Sequence, residues 1–242
     1  MKSIILLIVI GTSVSCSTES TPSEEPSFIV KYEGALKNMM HKGDLSAKAD
    51  LSDLKNIDHL YALGAIENLK GEIQIFDGKP FNTHVTDSLL DFDYSFNKKA
   101  SLIVYASVDK WKSIAIPDSI KSYEQLELYI EKSAKENHVN SEKPFPFLLE
   151  GTPESFDWHV INWKDGDTEH THEKHISSGL SGTIINRKVQ MLGFYSNSHH
   201  TIFTHHTTNM HIHVKTDDSK IAGHVDGFTL GKGMILKLPE SH

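Results

Sequence analysis

Residues 210–224 constrain the fold of this 242-residue chain more than any other stretch. In Met210–Thr216 apolar residues alternate with polar ones, the pattern of a β-strand whose side chains point to opposite faces. His211 and His213 therefore share one face. The polar stretch Asp-Asp-Ser-Lys that follows predicts a turn. A second strand returning from this turn would bring His224 beside the pair.

Three imidazoles on one surface suit a divalent transition metal, zinc above all. Three protein ligands leave a fourth position for water or substrate, which is typical of catalytic zinc sites. The only cysteine, Cys16, belongs to a different motif, so a closed structural site containing cysteine is not expected. The spacing alone also fits an exposed strand that binds nothing, and three imidazoles would accept copper or nickel as well.

Composition narrows the choice of functional class. A hydrophobic content of 38% and a charged content of 23% are typical of a globular domain. The net charge of −8 argues against a nucleic-acid partner and against attraction to anionic lipid. Histidine is unusually frequent, and eleven of the 16 histidines lie between His159 and His224. That clustering concerns the second half of the chain alone.

The N-terminus has the pattern of an export signal. Lys2 precedes an apolar run over residues 4–10, and small residues lead to Cys16. We expect residues 1–15 to be a lipoprotein signal peptide and Cys16 to carry lipid, which would anchor the protein in the bacterial cell envelope. An ordinary signal peptide with a chance cysteine is the alternative. Residues 16–27 predict a disordered tether, and 28–242 a single folded domain.

The remaining segments indicate an α+β fold with mixed or antiparallel sheets and a few short helices. Residues 34–41 predict a helix stopped by Gly43, and 122–134 a helix capped by Ser122. Residues 102–106 predict a core strand. Further expectations are two sheet arms at 144–149 and 158–163, a flexible loop over 164–178, strands joined near Asn186 within 182–195, and a hairpin over 225–238.

A second informative stretch covers residues 68–79, NLKGEIQIFDGK. It predicts a strand over residues 72–75 followed by an Asp-Gly hairpin turn. Glu72 and Gln74 would share one face, and Ile73 and Ile75 the other. Alternation alone favours a solvent-facing position for Glu72.

Together, residues 68–79, the His-Ile-His of the central strand and the sequence Gly-His-Val-Asp-Gly-Phe at 223–228 resemble the α-acetolactate decarboxylase family. The resemblance extends over about residues 30–238 and implies two packed sheets. It implies zinc bound by His211, His213 and His224, with Glu72 reaching into the active site. The implied reaction converts acetolactate, a small 2-hydroxy-3-oxo acid, to acetoin and carbon dioxide. In it Glu72 would reprotonate the carbon that loses the carboxylate.

The family also places an arginine on a strand after the segment that matches 144–151. No arginine stands there in this chain, and the resemblance makes His159 or Asn162 the expected substrate-facing residues. The family's second glutamate comes from a C-terminal extension, for which Glu240 is the last carboxylate in the chain.

Two other functions are compatible with the sequence. One is a non-catalytic, exported lipoprotein of the same fold that binds a metal or another ligand. Three histidines at 170, 172 and 175 would suit such a role, although the flanking Asp, Gly and Ser residues favour adventitious metal binding on a surface loop. The other is a cupin barrel, which also contains His-x-His. Asp217 stands where a cupin has glutamate, however, and His224 follows too soon.

Overall fold

Two antiparallel β-sheets of eight strands each make up the fold in the computed structural model, which describes residues 28–240. The expected signal peptide and tether, including Cys16, lie outside the described residues. The α+β prediction with two sheet layers is confirmed. All strand pairs within the described range are antiparallel.

The first sheet comes from the first half of the chain. Its strand order is β1-β8-β3-β4-β6-β7, with β2 paired to β8 and β5 to β4. The strands are β1 (Lys31–Glu33), β2 (Ala49–Asp50), β3 (Leu60–Ile66), β4 (Glu72–Phe76), β5 (Lys79–Pro80), β6 (Asn82–Thr86), β7 (Leu89–Asp93) and β8 (Lys99–Ser107).

The second sheet has the order β12-β11-β15-β14-β13-β10-β16-β9. Its strands are β9 (Trp111–Ala115), β10 (Phe145–Gly151), β11 (Ser155–Val160), β12 (Leu180–Ile185), β13 (Val189–Tyr195), β14 (Met210–Thr216), β15 (Ala222–Thr229) and β16 (Ile235–Pro239). The helices are α1 (Leu36–Lys42), α2 (Tyr123–Glu136) and α3 (His172–Ser177).

The period-two alternation of the strands separates three apolar layers. The inner layer lies between the sheets and includes Leu63, Leu102, Leu192 and Phe194. The opposite face of the second sheet packs against α2. The opposite face of the first sheet is covered by the short turn at Leu51–Asp53 and its neighbours.

Both predicted helix boundaries follow from local chemistry. Gly43 has φ 60° and accepts the left-handed conformation that ends α1. Ser122 accepts a hydrogen bond from the backbone N–H of Gln125, and the Gln125 side chain returns the contact to the Ser122 backbone. This reciprocal pair is a capping box, and it fixes the start of α2.

The strands expected in the second sheet exist, but successive strands in the chain do not pair with each other in every case. β10 pairs with β13 and β16, whereas β11 pairs with β12 and β15, so 144–149 and 158–163 do not form one hairpin. The strands expected to join near Asn186 are β12 and β13, although they do not pair with each other. The hairpin expected over 225–238 is wrong, because β15 does not pair with β16. Sequence alternation defines the faces of a strand but not its neighbours, because the partners are chosen by long-range packing.

The expected loop over 164–178 is also only partly correct. It contains α3, whose N-terminus is capped by the side chain of Thr171. In addition, β11 ends at Val160, so Trp163 lies beyond the strand and donates its backbone N–H to the carbonyl of Leu69. Among residues 28–240, no helix combines the length and hydrophobicity that a membrane crossing requires.

The inner layer should contribute strongly to stability. Leu192 is completely buried there, so Leu192→Ala removes apolar contacts and leaves a cavity. We expect a loss of about 2–5 kcal/mol in the free energy of unfolding, measured by denaturant titration. The exposed Leu128 of α2 is the matched control, and Leu128→Ala should change the value by less than about 0.5 kcal/mol. Equal effects of the two substitutions would contradict this account of the core.

Candidate metal and catalytic site

A row of imidazoles crosses three neighbouring strands on the inner side of the second sheet. His213 of β14 lies directly opposite His224 of β15, and His224 lies directly opposite His159 of β11. His211 occupies the same face of β14, two residues before His213. The Asp-Asp-Ser-Lys turn therefore brings His224 beside the pair, as the alternation predicts. The sequence did not reveal that His159 extends the row.

The spacing of three of these rings fits a shared metal ion. The centroids of the His211, His213 and His224 rings are 5.0, 5.1 and 5.5 Å apart. The Nε2 atoms of His211 and His213 face each other at 3.2 Å. Nitrogens that share one tetrahedral zinc at bond lengths near 2.0–2.1 Å stand about 3.3 Å apart.

The outer nitrogen of His213 is held by the first sheet. The side-chain oxygen of Gln74 lies 2.9 Å from His213 Nδ1. The Gln74 amide nitrogen donates to the carbonyl of Phe81 and to the Thr83 hydroxyl, which orients its oxygen toward the histidine. His213 Nδ1 therefore carries the proton, and Nε2 presents a lone pair toward His211. An outer acceptor of this kind is typical of metal-bound histidine.

The outer nitrogens of the other two rings are buried without an aligned hydrogen bond. For His224 the nearest carboxylate oxygen is Oδ1 of Asp226, 3.3 Å from Nδ1. For His211 the Phe203 carbonyl is close enough to oppose the fall in pKa, but burial dominates and lowers the pKa well below its ordinary value. Burial likewise lowers the pKa of His213, helped by the charges of His211 and His224. Burial thus favours the neutral form of His211 and His213, the form that metal ligation requires.

Asp226 is a functional candidate that sequence reasoning missed. Both of its carboxylate oxygens lie 2.9 Å from His159 Nδ1. Burial would raise its pKa, but the imidazoles of His159 and His224 outweigh burial and hold it below the ordinary range. The spacing of two residues from His224 was the available signal, because such residues share a face of a strand.

A β-bulge accompanies Asp226. The pairing of β11 with β15 runs from Trp158–Val225 to Asp157–Gly227 and leaves Asp226 without a partner on β11. Such an extra residue bends a strand and redirects its side chains, often next to active sites. His159, His224 and Asp226 form a second group of metal-binding type, with ligand atoms within 4.8 Å of one another. Both groups contain His224.

Glu72 reaches this site from the opposite sheet. It is 4% exposed, so the solvent-facing position favoured by alternation alone was wrong. Oε1 accepts the backbone N–H of Ile161 at 3.2 Å and lies 3.9 Å from His159 Nε2. Oε2 lies 3.8 Å from His213 Nε2. Burial raises the pKa of Glu72 well above its ordinary value, against the effect of the Ile161 hydrogen bond.

The turn before β4 positions this carboxyl group. Gly71 has φ 141°, and a Cβ atom there would come within 2.1 Å of the Thr83 carbonyl oxygen. Only glycine fits such an approach. Asn68 and Leu69 also have positive φ, at 60° and 52°. Strained backbone of this kind is commonly found at functional sites.

A cavity of about 790 Å³ opens onto the two groups. Glu72, His159, His211, His224 and Asp226 line it, while α1, the start of α2, α3 and the loop at 199–208 form its walls. Lys37 is its one Lys or Arg side chain among the described residues. Asn162 does not line it, and its backbone N–H bonds to the Ser178 hydroxyl.

Neither of the other groups considered from the sequence reaches the cavity. Arg187, the chain's one arginine, forms an exposed ion pair of 2.6 Å with Asp218. The backbone N–H of Glu240 bonds to the carbonyl of Lys110, beside the edge strand β9. Four strands of the second sheet separate that strand from β15.

The sequence pattern of the alpha-acetolactate decarboxylase family matches residues 32–238. The chain belongs to this family. The solved alpha-acetolactate decarboxylase from Bacillus subtilis strain 168 is 13% identical to the chain, covers 87% of it and 85% of itself, and gives a TM-score of 0.69. The acetolactate decarboxylase from Bacillus subtilis subspecies spizizenii is 13% identical to the chain. The match covers 88% of this chain and 86% of that protein, with a TM-score of 0.67.

A Staphylococcus aureus protein of unknown function, described as similar to alpha-acetolactate decarboxylase, is 15% identical over 86% of the chain and 84% of its own length, with a TM-score of 0.64. No protein with a curated description matches the sequence. At these identities the structural matches establish the fold.

The wall formed by α3 contains a packed histidine pair. His170 Nδ1 lies 3.1 Å from His175 Nε2, and the Trp163 ring stacks on His170 at 4.4 Å. Burial lowers the pKa of His175 to about 4, with smaller effects from the charges of His170 and His159. Protonation of His175 would therefore disrupt the contact between α3 and Trp163.

This pair should make stability depend on pH. The ordinary pKa of histidine is 6.5 and that of folded His175 about 4, so the unfolded chain takes up the proton first as the pH falls. The contribution to the free energy of unfolding is thus lost between pH 6.5 and about 4. We expect His175→Gln to reduce the loss of unfolding free energy across this pH interval by about 1–2 kcal/mol, a value discounted for the partial exposure of the ring. Denaturant titrations at pH 7.5, 6, 5 and 4 would measure it, and parallel curves for the two proteins would contradict it.

Proposed function

We propose that the protein is a zinc-dependent decarboxylase that converts acetolactate, or a related 2-hydroxy-3-oxo acid, to acetoin or its analogue and carbon dioxide. One observation carries this proposal: the rings of His211, His213 and His224 of the second sheet lie against one another, and the buried Glu72 of the first sheet reaches them beside one cavity. Membership of the alpha-acetolactate decarboxylase family supports the reaction class.

His211, His213 and His224 are the proposed ligands, with another divalent metal as a substitute for zinc. We prefer them to the group of His159, His224 and Asp226. Nδ1 of His159 is already engaged by both oxygens of Asp226, whereas the Nε2 atoms of His211 and His213 face each other. A bound zinc ion would supply Lewis acidity toward the substrate's hydroxyl and carbonyl oxygens.

Glu72 is the proposed proton donor. Burial raises its pKa well above the ordinary value and so favours the protonated form, which a general acid requires. When the carbon–carboxylate bond breaks, the electron pair stays with the substrate as an enediolate and carbon dioxide leaves. Glu72 then delivers one proton to that carbon and regains one from water in the cavity. The reaction consumes one proton for each carbon dioxide released.

His159 and Asp226 would assist this proton transfer by presenting a ring lone pair to Glu72. The Asp226 carboxylate accepts from His159 Nδ1, so His159 Nε2 presents a lone pair toward Glu72 Oε1 at 3.9 Å. A protonated Glu72 complements that lone pair. Lys37 is available to attract the substrate's carboxylate, since no arginine in the described range lines the cavity.

The test is acetoin formation from racemic acetolactate by the zinc-loaded mature protein, with zinc content measured in parallel. We expect His213→Ala to lose both zinc and activity. Glu72→Gln should keep zinc and lose activity by about 10²–10⁴-fold, because the amide cannot donate the acidic proton. Glu33→Gln, in the exposed strand β1, is the matched control and should match the wild type.

Two outcomes would contradict the proposal. No acetoin from wild-type protein that holds one zinc per chain would reject the substrate, and full activity of Glu72→Gln would reject the proton donor. In the first case a non-catalytic metal- or ligand-binding function would lead. One observation favours that second candidate: no arginine stands among the described residues that line the cavity.

Export to the cell envelope with a lipid on Cys16 is part of the same proposal. Its support is the sequence pattern of a charged start, an apolar run and small residues before cysteine. Expressed in a bacterium fed labelled palmitate, the wild type should incorporate label and fractionate with membranes. Cys16→Ser should do neither, and equal labelling of both proteins would reject the anchor.

A further inference from the structure

The mouth of the cavity carries a second set of histidines that the proposed reaction does not use. His172 stands at the start of α3, while His205 and His206 lie on the loop between β13 and β14. All three are exposed, and all three line the cavity. They therefore come from two separate structural elements that face each other across the opening.

The rings meet in a chain with His205 as the common member. The His172 and His205 centroids are 5.5 Å apart, and those of His205 and His206 are 4.1 Å apart. The first distance equals that between His213 and His224 in the inner triad. His205 Nδ1 lies 2.9 Å from the Thr207 hydroxyl, which orients the ring and leaves Nε2 free. Exposed side chains of this kind can rotate to bring their nitrogens to one ion.

This outer set is continuous with the buried one. Burial lowers the pKa of His205, and the charges of His206, His172 and His224 lower it further. The charge of His172 likewise acts on the pKa of His159. His172, His205 and His206 thus line the same cavity as His211 and His224. An ion that enters the cavity from solvent encounters His172, His205 and His206 before the inner site.

We propose that His172, His205 and His206 form a second, weaker site for a divalent transition-metal ion at the mouth of the cavity. Imidazole nitrogens are the ligands that such ions prefer among the side chains present. The site would bridge α3 and the β13–β14 loop, so an ion bound there narrows the entrance to the inner histidines. This inference rests on the proposed function only in taking the inner triad as the tighter site.

Metal stoichiometry tests the proposal without any assay of catalysis. The metal-free mature protein is titrated with Co²⁺ and with Zn²⁺, and bound metal is followed by Co²⁺ absorption and by competition with a chelator of known affinity. The wild type should bind two equivalents per chain. The triple variant His172→Ala, His205→Ala, His206→Ala should retain the tight equivalent and weaken the second by more than about 100-fold, since even outer-shell changes cost 10–100-fold.

The controls separate the two sites. His59→Asn with His138→Asn alters two exposed histidines away from the cavity, and asparagine accepts their positive φ of 52° and 61°. This variant should bind two equivalents. His213→Ala should lose the tight equivalent only. The proposed outer site would be rejected if the wild type bound a single metal equivalent. It would also be rejected if the triple variant bound the second equivalent with unchanged affinity. A tight equivalent unchanged by His213→Ala would instead reject the inner triad.

Discussion

The burial of polar side chains between two apolar sheets is the constraint on which the site depends. Glu72, Gln74, His211 and His213 all lie on inward faces, with exposures of at most 9%. A buried polar atom without a partner costs about 1–3 kcal/mol, so these groups must satisfy one another. Gln74 does this for His213, and the backbone of Ile161 does it for Glu72. Two ring nitrogens of the site lack an aligned hydrogen bond: Nδ1 of His224 lies near Asp226, and Nδ1 of His211 belongs to the ring beside the Phe203 carbonyl.

Burial also determines the protonation of the site. Removed from water, the imidazoles favour the neutral form and Glu72 favours the protonated form, whereas Asp226 stays ionised because two imidazoles lie beside it. The pKa values of the two carboxyl groups on either side of the His159 ring are therefore shifted in opposite directions. One is suited to donate a proton and the other to orient a histidine, a division that environment alone creates.

The sequence revealed the central strand, the turn after it and the position of His224, because alternation and turn chemistry are local properties. It also predicted the caps of α1 and α2. It did not reveal that Glu72 is buried. Both faces of β4 are covered, and the alternation of residues identifies the two faces of a strand without showing whether either faces solvent. Asp226 and the row through His159 were missed because strand neighbours are long-range choices. Asn162 was placed by resemblance, and the end of β11 at Val160 removes it from the cavity.

The hydrogen bond between His213 and Gln74 spans 139 residues of sequence. Each sheet folds from its own half of the chain, yet each supplies only part of the pocket chemistry. The three proposed metal ligands belong to the second half, whereas Glu72 and Gln74 belong to the first, so the complete site forms only when the sheets dock. A ligand that contacts residues of both sheets binds only the docked state, so its binding stabilises the packing of one sheet on the other. A substitution that weakens the affinity for such a ligand should therefore also reduce the stabilisation of the docked sheets by that ligand.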